Sequence, residues 1–125
     1  MKKFKKVAAG ILAAISVATC VVGMSASAYS PTITGTFKVG NGSATKTLYA
    51  DTSYAKATLQ LSNGGSHSHV YVQLSYAGNT SYSNGVSSVS VRQDGNGKST
   101  KAAGTYKATA DTSNGYTTKT EYINT

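Results

Sequence analysis

The sequence has no tryptophan, one cysteine, one proline and only four acidic residues. The cysteine, Cys20, lies in an apolar N-terminal segment, so the residues after it cannot form a disulfide among themselves or supply a thiolate nucleophile. No two carboxylates have the spacing of a glycosidase pair, and no Gly-x-Ser-x-Gly elbow marks a serine nucleophile. These scarcities predict a protein that is not an enzyme and that needs no cofactor.

The N-terminal residues have the pattern of a secretory signal peptide. Four lysines between Lys2 and Lys6 precede a mostly apolar run over 7–22, and Ala26-Ser27-Ala28 has the small residues of a cleavage site. We therefore predict a signal peptide over 1–28, cleaved after Ala28. The secreted chain, 29–125, has 97 residues and is the size of a single domain.

Cys20 allows a second interpretation, in which a lipoprotein signal is cleaved immediately before it. Thr19 makes that signal a poor one, because the residue before a lipidated cysteine is usually smaller. No second apolar run is long enough to cross a bilayer, so we predict no transmembrane segment in the exported chain.

Positive charge is concentrated in the export segment. The full chain has a net charge of +8, and removing the first 28 residues leaves eight basic and four acidic residues, or +4. A modest positive charge draws a secreted protein to anionic cell-surface polymers. Solubility alone would explain the same charge. Nucleic acid is not an expected partner, because the charge is low and the destination is extracellular.

After the signal segment, apolar and polar side chains alternate with a period of two, which is typical of half-buried β-strands. Clusters rich in Gly, Asn, Asp and Ser separate about seven such runs, and no helical pattern occurs among them. The sequence predicts an all-β fold, a small antiparallel β-sandwich of about seven short strands. Within it, 78–85 is expected to be a longer loop.

Two strand pairings are predicted from the turn residues. The run that ends at Leu61 and the run that begins at Val70 flank Asn63-Gly64-Gly65-Ser66, so we expect them to form a hairpin. The three runs between Val86 and Asn124 are expected to form an antiparallel meander, because the two turn clusters between them tolerate positive φ.

Four basic residues lie along the first predicted hairpin of that meander. With the amides of Gly95 and Gly97 they could hold a phosphate or pyrophosphate. A solvated hairpin, whose edge lysines discourage strand addition, explains the same residues. The four candidate ligand-binding residues are Arg92, Lys98, Lys101 and Lys107.

Two other groups of side chains are weaker candidates. His67 and His69 lie two residues apart at a strand start, where they could clip a zinc or copper ion, but the sequence has no third histidine. We predict no metal site there and interpret them as a polar shoulder. Tyr54, Tyr71 and Tyr82 are candidate surface rings that could stack on sugars or serve as cross-strand partners.

The C-terminal residues carry a family resemblance. An Ala-Gly-x-aromatic-Lys-Ala-Thr strand over 103–109 is followed by a Lys-x-x-Tyr ending at Lys119 and Tyr122, and Ser90-Val91 and Asn96-Gly97-Lys98 come before it. In about 35 residues the chain resembles the small secreted bacteriocins of the lactococcin type, which block septum formation by engaging the cell-wall precursor lipid II.

The resemblance implies a β-sandwich and an antibacterial role against Gram-positive cells, exerted by binding a cell-wall precursor without catalysis. It also adds Tyr106, where the family commonly has tryptophan, to the candidate ligand-binding residues. The alternative hypothesis is a secreted cell-surface or glycan-binding β-sandwich module without toxicity. No pattern in the sequence indicates an oligomeric state.

Overall fold

The computed structural model describes residues 32–125. The predicted signal peptide and its cleavage site lie outside these residues. The described chain consists of eight strands and one 3-10 turn, Gly65–His67. The strands are β1 (Thr32–Val39), β2 (Gly42–Ala50), β3 (Tyr54–Ser62), β4 (His69–Tyr76), β5 (Asn79–Gly85), β6 (Ser88–Asp94), β7 (Ala102–Thr112) and β8 (Gly115–Asn124).

The strands form two antiparallel sheets that face each other across the core. The first sheet has the order β1-β2-β3-β6 and the second sheet has the order β5-β4-β7-β8. This confirms the all-β sandwich. The count is eight rather than about seven because Asn79–Gly85, expected to be a loop, is a strand that pairs with β4. Apart from one tyrosine and one glycine its residues are polar, so it lacks the apolar alternation by which the other strands are recognised.

The hairpin predicted between Leu61 and Val70 does not form. β3 belongs to the first sheet and β4 to the second, so their apolar faces meet across the core. The intervening residues make a 3-10 turn in which Ser68 N–H donates to Gly65 O, and Gly64 O accepts from Asp111 N–H. Turn residues marked the reversal of the chain here, but they did not specify which sheet the next strand would join.

The predicted C-terminal meander is half correct. β7 and β8 form a tight hairpin in which Thr112 pairs with Gly115. β6, however, pairs with β3, with Tyr54 opposite Asp94 and Gln60 opposite Ser88. The segment between β6 and β7 therefore crosses from the first sheet to the second instead of turning back on itself.

The core is small and is centred on Tyr106 of β7, whose side chain is fully buried. Its hydroxyl donates to Thr47 O of β2 over 2.8 Å, so one hydrogen bond ties the two sheets together through the apolar interior. Burial raises the pKa of Tyr106. Gly104, on the same face two residues earlier, leaves room for the ring, because a Cβ there would lie 2.5 Å from the Tyr106 hydroxyl oxygen.

The two open sides of the sandwich differ in their contacts. On the β5–β6 side, Ser81 Oγ donates to Gln93 Oε1 over 2.9 Å, and Gln93 Nε2 donates to Tyr76 O over 2.7 Å. On the β1–β8 side, the buried Lys46 of β2 places its Nζ 3.0 Å from Glu121 Oε1 of β8. The β5–β6 side is therefore bridged by hydrogen bonds between uncharged groups, and the β1–β8 side is bridged by an ion pair.

Candidate functional site

The five predicted ligand-binding residues do not converge on one surface. Arg92 lies on the outer face of the first sheet, with its guanidinium carbon 4.0 Å from the centre of the Tyr54 ring. Lys98 and Lys101 are exposed in the segment between β6 and β7. Lys107 lies on the outer face of the second sheet. The predicted convergence of the basic residues is therefore wrong, because β6 pairs with β3 and not with β7.

The backbone amides proposed to cradle a phosphate are already engaged. Gly95 N–H donates to Ser53 O over 2.7 Å, and Gly97 N–H donates to Thr52 O over 3.0 Å. The next two amides, those of Lys98 and Ser99, donate to the side-chain oxygen Oδ1 of Asn96. These amides hold the segment to the turn after β2 and to its own Asn96, so the four of them are not available to a phosphate.

Tyr106 is not a surface residue. It is fully buried between the sheets and its hydroxyl is bonded to Thr47 O. A side chain so placed cannot contact a ligand on the outside of the sandwich. Tyr106 also alternates with Lys107, and adjacent strand residues point to opposite faces, so the two could not have served one ligand.

The two candidate metal-binding histidines lie on different elements, His67 in the 3-10 turn and His69 at the start of β4. Residues 32–125 contain no group of three potential metal-ligating side chains. His67 instead serves the turn: its Nδ1 lies 2.7 Å from Asp111 Oδ1, and its ring stacks on Tyr116 with the centres 4.7 Å apart. The Asp111 carboxylate also accepts the backbone N–H groups of Ser66 and His67, each over 2.9 Å.

These contacts make the stability of the fold sensitive to acid. The pKa of Asp111 is lowered from 3.8 to about 2, first by the hydrogen bond from His67 and then by the backbone N–H groups of the turn. The unfolded chain takes up this proton near pH 4 and the folded chain only near pH 2. The stabilisation is therefore present above about pH 4 and is lost as the pH falls toward 2.

We expect the thermal midpoint of the protein to fall between pH 5 and pH 2, and Asp111→Asn to reduce that fall while lowering the midpoint at neutral pH. Thermal melts followed by circular dichroism measure both effects. Asp94→Asn is the matched control, because the Asp94 side chain is 84% exposed. An equal reduction by Asp94→Asn would contradict the assignment. Part of the fall remains in both variants, since the Tyr49 hydroxyl lowers the pKa of Asp51 as well.

Two tyrosines come together on the outer face of the second sheet. The rings of half-buried Tyr71 on β4 and exposed Tyr82 on β5 have their centres 6.0 Å apart. Lys107 Nζ lies 5.5 Å from the centre of the Tyr71 ring. The Tyr71 hydroxyl donates to Gln73 Oε1 over 3.0 Å, which fixes the ring beside an amide.

Strand register extends this pair into a band across the sheet. Tyr82 lies opposite Gln73, Gln73 opposite Thr105, and Thr105 opposite Tyr122, whose side chain is 65% exposed. The neighbouring row runs from Asn84 through Tyr71 and Lys107 to Thr120. We call this surface the tyrosine face and define it by Tyr71, Gln73, Tyr82, Asn84, Thr105, Lys107 and Tyr122.

Comparison with family models, curated proteins and solved structures found no match. The lactococcin-type resemblance is therefore still a prediction. Across residues 32–125 the structure contains no helix with the length and apolar character needed to cross a bilayer.

The third candidate surface tyrosine, Tyr54, is on the other sheet and its ring already has two close partners. It stacks on Tyr49 with the ring centres 4.8 Å apart, and Arg92 lies over it at 4.0 Å. Tyr49 in turn donates to Asp51 Oδ2 over 2.5 Å, and this hydrogen bond raises the pKa of Tyr49 to about 12. This cluster holds the turn after β2 in place and leaves no free ring for a ligand.

Proposed function

We propose that this chain is a secreted glycan-binding module that holds a cell-surface polysaccharide on the tyrosine face, without catalysis. The observation that carries the proposal is the juxtaposition of Tyr71 and Tyr82, 6.0 Å apart, with Lys107 beside them. Both rings lie on the outer face of the second sheet, and the Tyr82 side chain is 68% exposed, so its ring can accept a further planar partner.

The tyrosine face has the three kinds of group that a sugar polymer requires. Aromatic rings provide area for the apolar C–H faces of pyranose rings, while their hydroxyls remain polar. Gln73, Asn84 and Thr105 place amides and a hydroxyl next to the rings, where they can exchange hydrogen bonds with sugar hydroxyls. Lys107 adds a positive charge, which favours acidic glycans over neutral ones.

The antibacterial role implied by the resemblance is a second proposal, supported by two other residues. Lys98 and Lys101 are exposed in the segment between β6 and β7. They could contact the pyrophosphate of a cell-wall precursor by charge alone, because the amides around them are engaged. The two proposals use different surfaces and can be separated by substitution.

We expect Tyr71→Ala and Tyr82→Ala each to weaken retention on purified Gram-positive cell walls by about tenfold, because each removes one stacking surface. Retention is measured by pull-down with isolated walls and with wall polysaccharide freed of peptidoglycan. Tyr116→Ala is the matched control, since Tyr116 is similarly exposed on the same sheet but lies outside the tyrosine face.

The double variant Lys98→Ala/Lys101→Ala tests the second proposal in the same assay. Unchanged retention by this variant, with loss in the tyrosine variants, supports glycan binding. Loss in the lysine variant alone, together with binding to lipid II and arrest of cell division, would replace glycan binding with the antibacterial role. Equal retention by all variants contradicts both proposals.

A further inference from the structure

The outer edge of β8 has no strand beside it in the described chain, because β8 is the last strand of the second sheet. Thr125 N–H donates to Ala102 O over 2.9 Å. Thr125 and every second residue before it in β8 therefore point their backbone groups toward β7. In an antiparallel pair the intervening residues point their N–H and C=O groups away. Those residues are Tyr116, Thr118, Thr120, Tyr122 and Asn124.

β8 is also exposed on both faces over most of its length. From Gly115 to Thr120 every residue is exposed, and burial begins only at Glu121 and Ile123. A strand with an open row of N–H and C=O groups is a template for another strand, and natural proteins commonly protect such an edge with charges that face inward. β8 has two such charges, Lys119 and Glu121, and they have opposite signs.

We infer that β8 binds a second copy of this chain, strand to strand and antiparallel, with Thr120 on the two-fold axis. In this arrangement Thr118 lies opposite Tyr122 of the second copy, and Tyr116 lies opposite Asn124 of the second copy. Every outward-pointing residue of the strand then finds an outward-pointing partner, which gives about ten backbone hydrogen bonds.

Charge complementarity selects both the partner and the register. With Thr120 on the axis, Lys119 of each copy lies directly opposite Glu121 of the other, so two ion pairs form. Moving the axis by one residue in either direction places Lys119 opposite Lys119, or Glu121 opposite Glu121, and like charges directly opposite each other are destabilising. The same two side chains that repel other registers therefore favour this one.

The local contacts of Glu121 leave an oxygen for the second copy. Its Oε1 is held by Lys46 Nζ at 3.0 Å, whereas its Oε2 has Lys119 of the same strand at 3.9 Å, beyond a normal hydrogen bond. Half of the Lys119 side chain is exposed, so it is free to reach across the edge. In the pair, Lys119 exchanges a distant contact within its own strand for one with the opposite strand.

Pairing would join the second sheets of two copies into one sheet of eight strands. Because the two-fold axis is perpendicular to that sheet, both tyrosine faces would lie on the same side. A polymer could then engage both copies at once, which raises its apparent affinity through effective concentration. This last consequence rests on the proposed glycan binding; the pairing itself does not.

The register predicts which introduced cysteines can cross-link. Residues that form a hydrogen-bonded antiparallel pair have Cα atoms about 5.5 Å apart, within the range of a disulfide. In a Cys20→Ser background, Thr120→Cys should therefore form a covalent dimer under mild oxidation. Thr118→Cys, exposed on the same face, should remain monomeric, because its copies lie four residues apart along the strands, about 13 Å. Non-reducing gel electrophoresis measures the dimer fraction.

Charge variants supply a second measurement that needs no cysteine. Lys119→Glu and Glu121→Lys should each raise the dimer dissociation constant about tenfold or more in sedimentation experiments. Mixing the two should restore association, because the first variant then carries two acids on this face and the second carries two lysines, so an ion pair forms at both contacts. Lys38→Glu, an equal charge change on β1, should leave the constant unchanged, and circular dichroism checks that each variant is folded.

Equal cross-linking of the two cysteine variants, or no recovery when the two charge variants are mixed, would overturn the pairing. These readouts involve no glycan. The pairing can therefore fail while the tyrosine variants still lose retention, and the reverse outcome is equally visible.

Discussion

Replacing Tyr106 with alanine is expected to lower the free energy of unfolding by about 3–5 kcal/mol, the range for deleting a large buried aromatic side chain. The ring is fully buried and lies at the centre of a small core, so its removal leaves a cavity between the sheets. The substitution also removes the hydroxyl that donates to Thr47 O. Against a total stability of about 5–15 kcal/mol for a domain of this kind, this loss brings the protein close to unfolding.

Urea denaturation measures this effect as a fall in midpoint, and Tyr106→Phe separates its two parts. The phenylalanine keeps the volume and loses the inter-sheet hydrogen bond, so it should cost about 1 kcal/mol. Tyr122→Ala is the surface control: its side chain is 65% exposed, and its cost should stay within about 0.5 kcal/mol. A loss from Tyr106→Ala as small as that from Tyr122→Ala would show that the ring does not occupy the core.

Gly104→Ala is expected to cost about 1–3 kcal/mol through overpacking, although it adds only a methyl group. The new Cβ would lie 2.5 Å from the Tyr106 hydroxyl oxygen and 2.7 Å from two carbons of its ring. A surface side chain would swing away from such a contact. The Tyr106 ring cannot, because it is enclosed on all sides and its hydroxyl is fixed to Thr47 O.

A double-mutant cycle with Tyr106→Leu tests that cause directly. Leucine does not extend to the position of the tyrosine ring, so Gly104→Ala should cost much less in the Tyr106→Leu background than in the wild type. Contacting residues of this kind show coupling energies of about 0.5–3 kcal/mol. Full additivity in the cycle would mean that the cost of Gly104→Ala arises in the backbone and not from the ring.

The inward and outward faces of most strands could be predicted from the sequence. Alternation alone puts Leu59, Leu61, Val70 and Val72 on the inward faces of their strands, and all four are buried. It carried the same information for Tyr106, which shares its face with Ala108 and Ala110. The resemblance nevertheless placed Tyr106 among the ligand-binding residues. The alternation, which puts it on the inward face, agrees with its burial.

The sheet to which each strand belongs could not be predicted, because the deciding contacts are distant in sequence. The clusters at Asn63–Ser66 and Asp94–Gly97 resemble the Asn114-Gly115 turn in composition, and only the last closes a hairpin. The first is held across the sandwich by Asp111, 45 residues from Ser66, and the second is fastened to the turn after β2. Local turn chemistry is the same in all three places.

The candidate site could be predicted only in part, again because the contacts that decide it are distant in sequence. Tyr71 and Tyr82 were recognisable as surface tyrosines, but their proximity depends on β5, which the sequence did not reveal as a strand. Tyr122 entered the tyrosine face only through the register of β4 with β7 and of β7 with β8. Long-range register decides such a site, and residue type alone does not.

The interleaved strand order has a kinetic consequence. β1, β2 and β3 are consecutive, but the fourth strand of the first sheet arrives only after β4 and β5 have begun the second. The second partner of β4 is β7, which follows β5 and β6 in the chain. Closing these long loops before their contacts form gives the chain a high contact order, which is typical of slow folding. The first sheet can gain its fourth strand only by closing a loop that contains β4 and β5, so its completion is expected to be coupled to the start of the second sheet.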